Sequence, residues 1–221
     1  MAAHATARVT RATARMRLRG IYLIVNESGE PTLEIARAGL SAGIGIVQYR
    51  AKRGIDNERA RALRALTRER DALLILNDDW RAALEFDCDG VHLGPDDDGF
   101  RAVARVRSQI GDRLIGLSCG TVEEAVAATA AGADYAGVGS VYATASKPDA
   151  GPPIGIDGLR RITAATRLPV AAIGGIDASN LAAAAATGVA MAAVISAIAG
   201  AAQPDAAATE LVAIWNREAA G

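Results

Sequence analysis

Eight short apolar runs, each separated from the next by an amphipathic segment, constrain this chain more than any other feature. They are GIYLIV (20–25), GIVQYR (45–50), ALLILN (72–77), GVHLG (90–94), LIGLSC (114–119), YAGVGSV (135–141), PVAAIGG (169–175) and MAAVISA (191–197). Between them lie Ala-rich segments with apolar residues at helical spacing, such as TLEIARAGLSAG, NERARALRALTRER, TVEEAVAATAAG and ASNLAAAAATG. Several end in glycine, the residue favoured just past a helix C-terminus. Strands that are apolar on both faces and alternate with helices form a parallel sheet covered on both sides. Eight such units predict an α/β fold, a single-domain (β/α)8 TIM barrel spanning residues 20–221. An open doubly wound sheet is the alternative.

Composition narrows the classes. Aromatic residues are 4% of the chain against 51% apolar overall, so Ala, Val, Leu and Ile must build the core. That suits helices packed closely on a sheet. A net charge of −1 offers no surface for nucleic acid or membrane. No apolar run approaches the roughly 20 residues of a membrane helix, and no secretory signal is visible. Cys88 and Cys119 fall on separate predicted elements without metal spacing, and read as reduced thiols of a cytoplasmic protein. Residues 1–19 carry Arg at 8, 11, 15, 17 and 19 and no acidic residue; they read as a flexible basic arm without assigned function.

In a barrel, chemistry gathers at the C-terminal ends of the strands. The second run ends VQYRAKRG, where Gln48, Arg50 and Lys52 alternate and so face one side. Cations pointing into a barrel mouth need an anion. The third run ends LNDDW and the fourth is followed by GPDDDG, which puts Asp78 and Asp97 on adjacent strand ends. Neighbouring carboxylates repel unless a cation lies between them, and hard oxygen ligands suit Mg2+. Asp79, Asp96 and Asp98 read as solvent-exposed or helix-capping. Ser118 ends the fifth run. The long segment after the sixth carries Thr144, Ser146 and Lys147, a hydroxyl and ammonium cluster suited to an anion. The seventh and eighth runs end AIGGI and VISAI, where backbone N–H groups commonly hold phosphate. The chain thus offers two anion sites, one assisted by metal and one lined by amides. Cys119 reads as packing, and no Ser-His-Asp or Cys-His nucleophile is apparent.

VQYRAK, LNDD, GVHLGPDD, LSC, GADYAGVGSVYATASKPDAGPP, PVAAIGGI and AVISAI, in this order from Gly20 to Gly200, resemble the thiamine phosphate synthase family. The resemblance implies a Mg2+-dependent transferase acting on small molecules. It joins a hydroxymethylpyrimidine pyrophosphate to a thiazole phosphate, giving thiamine monophosphate and pyrophosphate. It implies that Gln48, Tyr49, Arg50, Ala51, Lys52 and Asn77 hold the pyrimidine pyrophosphate and that Asp78 and Asp97 ligate Mg2+. Ser118 and Lys147 contact the pyrophosphate, and Lys147, Ser118 and Arg50 are the catalytic set. Thr144, Ala145, Ser146, Gly174, Gly175, Ile195 and Ser196 receive the thiazole phosphate. The implied chemistry is dissociative, and the resemblance leaves a homo-oligomer open. The chain departs from the family pattern at Gly120, where a histidine is usual, and at Pro95, Ser140, Ala143, Ser146 and Ala190-Met191. Two alternatives follow: a thiazole tautomerase-like barrel, disfavoured by the missing histidine, and a non-catalytic barrel of the same pathway.

Overall fold

The computed structural model describes residues 10–27, 31–94, 99–146 and 151–219. Eight parallel strands close into a barrel in sequential order, which excludes the open sheet. They are β1 (Gly20–Asn26), β2 (Ile46–Arg50), β3 (Leu73–Asn77), β4 (Gly90–Leu93), β5 (Leu114–Cys119), β6 (Tyr135–Val138), β7 (Val170–Ile173) and β8 (Met191–Val194). The helices are α1 (Arg11–Met16), α2 (Thr32–Ser41), α3 (Asn57–Glu69), α4 (Trp80–Glu85) and α5 (Gly99–Ile110), then α6 (Val122–Ala131), α7 (Gly155–Ala165), α8 (Leu181–Ala185), α9 (Ser196–Ala199) and α10 (Pro204–Ala219).

Strand alternation divides the core in two. Ile21, Leu23, Val47, Tyr49, Leu74, Val91, Ile115 and Val138 point outward and meet the helices in the larger apolar cluster. Tyr22, Ile24, Ile46, Leu73, Ile75, Leu114, Tyr135 and Met191 fill the barrel interior. Both faces being apolar is why these strands read as continuous hydrophobic runs.

The last three strands stop short of their apolar runs. β6 ends at Val138 because the backbone then crosses β7: Val141 and Tyr142 donate to the carbonyls of Ile173 and Gly174 at 2.9 Å each. A Cβ at Gly139 would lie 2.0 Å from the Ile173 carbonyl oxygen. β7 ends before Gly174 and Gly175, whose φ of 101° and 66° leave the extended region. β8 ends at Val194, and the chain enters α9 at Ser196.

Residues 10–19 of the basic N-terminal arm pack against the barrel. Thr10 caps α1, and Ala14 and Leu18, each 3% exposed, join the interior cluster from below. Arg11 donates through Nε to Asp134 at 2.6 Å, so basic residues that looked unpartnered in sequence meet a buried carboxylate. Residues 1–9 lie outside the described part.

Candidate active site

A cavity of about 160 Å3 opens at the C-terminal ends of the strands. Its walls carry two polar groupings. On one side β2 and β3 contribute Gln48, Arg50, Lys52, Asn77 and Asp78; on the other lie Thr144, Ser146, Gly174, Gly175, Ile195 and Ser196.

Asp78 stands at the centre of the first grouping. Its φ is 66°, an uncommon conformation that aspartate tolerates better than most residues. Its N–H donates to the His92 carbonyl at 2.8 Å, which carries the β3–β4 ladder one residue past β3. The chain then turns at once, because Asp79 caps α4 by accepting from the N–H groups of Arg81 and Ala82. This left-handed step aims the Asp78 carboxylate at Lys52, whose Nζ is 3.3 Å away, while Asn77 donates its amide to the same oxygen. Arg50 reaches across to the side-chain oxygen of Asn26 at 3.3 Å. Lys52 therefore pairs with the carboxylate, and Arg50 adds a second cation to the same cavity wall.

The donor set of this corner suits a hard cation. Among the described residues no group of three or more His, Cys, Asp or Glu side chains converges as a metal cage. Asp78, partly exposed with 26% of its side chain accessible, offers one carboxylate to the open mouth. Mg2+ typically takes one or two protein carboxylates and completes its shell with water and phosphate oxygens. Asp97 lies outside the described residues.

Deeper in the barrel a line of hydrogen bonds runs below the mouth. Gln48 Nε2 donates to the Tyr22 hydroxyl at 2.8 Å, which contacts the Tyr135 hydroxyl at 2.8 Å. Tyr135 meets His92 Nδ1 at 3.1 Å, and His92 Nε2 meets Ser118 Oγ at 3.1 Å. Burial pushes both phenols above their ordinary range, so they stay protonated. Tyr22 and His92 line the cavity, and sequence reasoning missed both. The signal was parity: Asn77 pairs with His92 in register, so His92 faces inward between outward Val91 and Leu93.

The second grouping forms where the segment after β6 is strapped across β7. Ser146 donates its N–H to Thr144 Oγ1 at 3.2 Å, which holds the two hydroxyl residues in one turn. A Cβ on Gly175 would sit 2.5 Å from the Ala143 carbonyl oxygen, so the two backbones touch. Among the described residues nothing accepts from the backbone N–H groups of Gly174, Gly175 and Ser196. Unpaired donors converging on a pocket suit an anion.

Most of the residues singled out in sequence thus meet at one cavity: Gln48, Arg50, Lys52, Asn77, Asp78, Ser118, Thr144, Ser146, Gly174, Gly175, Ile195 and Ser196. Tyr49 does not. It is fully buried between sheet and helices, because its odd position in β2 points outward. Ala51 and Ala145 also stay off the cavity wall. Lys147 lies outside the described residues. Cys119 is 2% exposed and burial pushes its thiol up to about 12, so it packs and supplies no thiolate.

A sequence model of thiamine monophosphate synthase matches residues 21–198. This chain belongs to that family. A thiamine-phosphate synthase of Moorella thermoacetica is 41% identical over 204 residues, covering 89% of this chain and 96% of its own. The thiamine-phosphate synthase of Archaeoglobus fulgidus is 44% identical over 206 residues, with 91% and 95% covered. A solved thiamine phosphate pyrophosphorylase from Pyrococcus furiosus superposes with a TM-score of 0.84 at 38% identity, covering 93% of this chain and 98% of that one. Gly120 is where the sequence resemblance leads one to expect a histidine. Here its N–H donates to Glu124, which with Thr121 closes the capping box that starts α6. The position serves the helix start and presents no imidazole to the cavity.

Proposed function

We propose that this chain condenses 4-amino-2-methyl-5-hydroxymethylpyrimidine pyrophosphate with 4-methyl-5-(2-phosphoethyl)thiazole, giving thiamine monophosphate and pyrophosphate. The observation that carries this reading is the meeting in one cavity of Arg50 and the Lys52–Asp78 ion pair with N–H groups of Gly174, Gly175 and Ser196 that have no acceptor among the described residues. Two anionic substrates need two such groupings. Family membership supports this pair of substrates.

In this reading Asp78, together with Asp97, holds Mg2+, which when bound supplies charge to stabilise the departing pyrophosphate. Arg50 and Lys52 bind the pyrophosphate oxygens; Lys52 exchanges its 3.3 Å ion pair with Asp78 for the substrate. Lys147 adds a further cation. Gln48 and Asn77 bind the pyrimidine, and Ser118 donates a hydrogen bond to the leaving anion. Thr144, Ser146 and the N–H groups of Gly174, Gly175, Ile195 and Ser196 hold the thiazole phosphate. The reaction is dissociative: the C–O bond to pyrophosphate breaks first, and the thiazole nitrogen then captures the pyrimidine methylene cation. The buried, protonated state of Cys119 supports a route without a covalent enzyme intermediate. The free, buried cysteines also support a cytoplasmic location.

The test is incubation with both substrates and Mg2+, with product separated by chromatography. Thiamine monophosphate should form at the rate pyrophosphate is released, and chelation of the metal should stop both. Absence of product with both substrates and Mg2+ present would overturn the assignment.

A further inference from the structure

We propose that the buried line from Gln48 to His92 fixes Ser118 as a hydrogen-bond donor to the anion in the mouth, with His92 and Tyr135 as positioning residues. The proposal rests on the reading of Ser118 as a pyrophosphate contact and adds what sets its proton. The sense of the line starts at Gln48, whose Nε2 donates to the Tyr22 oxygen at 2.8 Å. Either hydroxyl of the Tyr22–Tyr135 pair can donate across its 2.8 Å; in the proposed sense Tyr22, already accepting from Gln48, gives its single proton to Tyr135. Tyr135 must then donate to His92 Nδ1 at 3.1 Å. An imidazole whose Nδ1 accepts carries its proton on Nε2, and that N–H donates to Ser118 Oγ at 3.1 Å. The serine oxygen is thereby occupied as an acceptor, and its hydroxyl proton is left for the cavity. Reversing the Gln48 amide would reverse every bond and turn serine lone pairs toward an anion, an electrostatically unfavourable arrangement.

Two further observations show that the line is built into the sheet. A Cβ at Gly116 would fall 2.1 Å from Tyr135 Cζ, and one at Gly137 would fall 2.9 Å from His92 Cε1. These strand glycines make the room in which the phenol and imidazole lie. Gln48, Tyr22 and Tyr135 are 2%, 2% and 0% exposed, so water does not compete at the inner end of the line. Burial also raises the pKa of both phenols, which keeps the relay protonated. Tyr135 does not line the cavity and reaches it through its two partners, Tyr22 and His92.

The chain has two histidines, His4 and His92, so protein labelled with 15N-histidine reports His92 in a nearly empty spectrum. Long-range 1H–15N correlation at neutral pH, without substrate, should show the Nε2–H tautomer. In Tyr135→Phe the ring keeps its packing but Nδ1 loses its donor, so the Nδ1–H tautomer should become populated. With both substrates, kcat of that variant should fall roughly ten- to hundredfold, the range for one hydrogen bond to a charged group, with KM little changed. An Nδ1–H tautomer or an imidazolium in the unaltered protein would overturn the proposal, as would an unchanged kcat in Tyr135→Phe. The tautomer is read without turnover. It therefore decides the proposal even if the assigned reaction fails or the variant does not fold.

Discussion

Asp78 joins backbone strain to chemistry at one residue. Its φ of 66° and its N–H bond to His92 place the carboxylate beside Lys52, at the corner assigned to metal and pyrophosphate. Asn tolerates the same left-handed conformation and keeps the volume, so Asp78→Asn removes charge with little change in strain. Loss of a metal ligand removes several kcal/mol of leaving-group stabilisation, and turnover should fall by about a hundredfold or more. The circular dichroism spectrum should not change. Near-normal kcat at ordinary Mg2+ concentrations would remove Asp78 from the metal site. At this scale the sequence revealed charged and hydroxyl groups because few other reasons put Arg50, Lys52 and Asp78 at strand ends. It concealed Tyr22 and His92 because GIYLIV and GVHLG read as plain apolar strands unless the inward parity of neighbouring strands is compared. The same alternation puts the Tyr49 side chain on the outward face of β2, away from the cavity.

Among the elements, strand existence was legible throughout, since two apolar faces demand burial on both sides. β5 matches its expected span, Leu114–Cys119. β6, β7 and β8 were overextended because apolar character continues past Val138, Ile173 and Val194, where the backbone has already turned to line the mouth. These turns hold the second anion grouping. Gly175 has positive φ, and even a methyl group there would meet the Ala143 carbonyl oxygen at 2.5 Å and Tyr142 Cβ at 2.8 Å. Gly175→Ala should push the β7 turn and the Thr144–Ser146 segment apart while leaving the Arg50–Lys52–Asp78 corner untouched. The apparent KM for thiazole phosphate should therefore rise much more than that for the pyrimidine pyrophosphate. Equal increases for the two substrates, measured by varying each at saturation of the other, would refute two separate anion groupings.

At the scale of the whole barrel, binding and stability occupy opposite ends. The mouth carries charges that need a ligand, whereas the far end is closed by α1 through Ala14 and Leu18 and tied by Asp134. That carboxylate is fully buried and accepts from Arg11 Nε at 2.6 Å, Arg107 Nη2 at 2.6 Å and the Ile115 N–H at 2.9 Å. It links α1, α5 and β5 at one point. No local pattern announced this closure, because Arg11 and Asp134 are 123 residues apart in sequence. Asp134→Ala would leave the Ile115 N–H buried without an acceptor and Arg11, Arg15 and Arg107 without that partner. Breaking a buried pair in this way costs about 3–5 kcal/mol, toward the lower end here because the Arg11 and Arg107 side chains, 33% and 22% exposed, retain access to water. Arg11→Ala leaves Asp134 paired with Arg107 and should cost only about 1 kcal/mol. Urea unfolding should therefore rank the midpoints as unaltered protein, Arg11→Ala, then Asp134→Ala, while kcat of the folded variants stays near normal because the mouth lies at the other end. Equal midpoints for Asp134→Ala and the unaltered protein would show that the buried carboxylate does not hold the closure together. A loss of kcat without loss of stability would show that the two ends of the barrel are coupled.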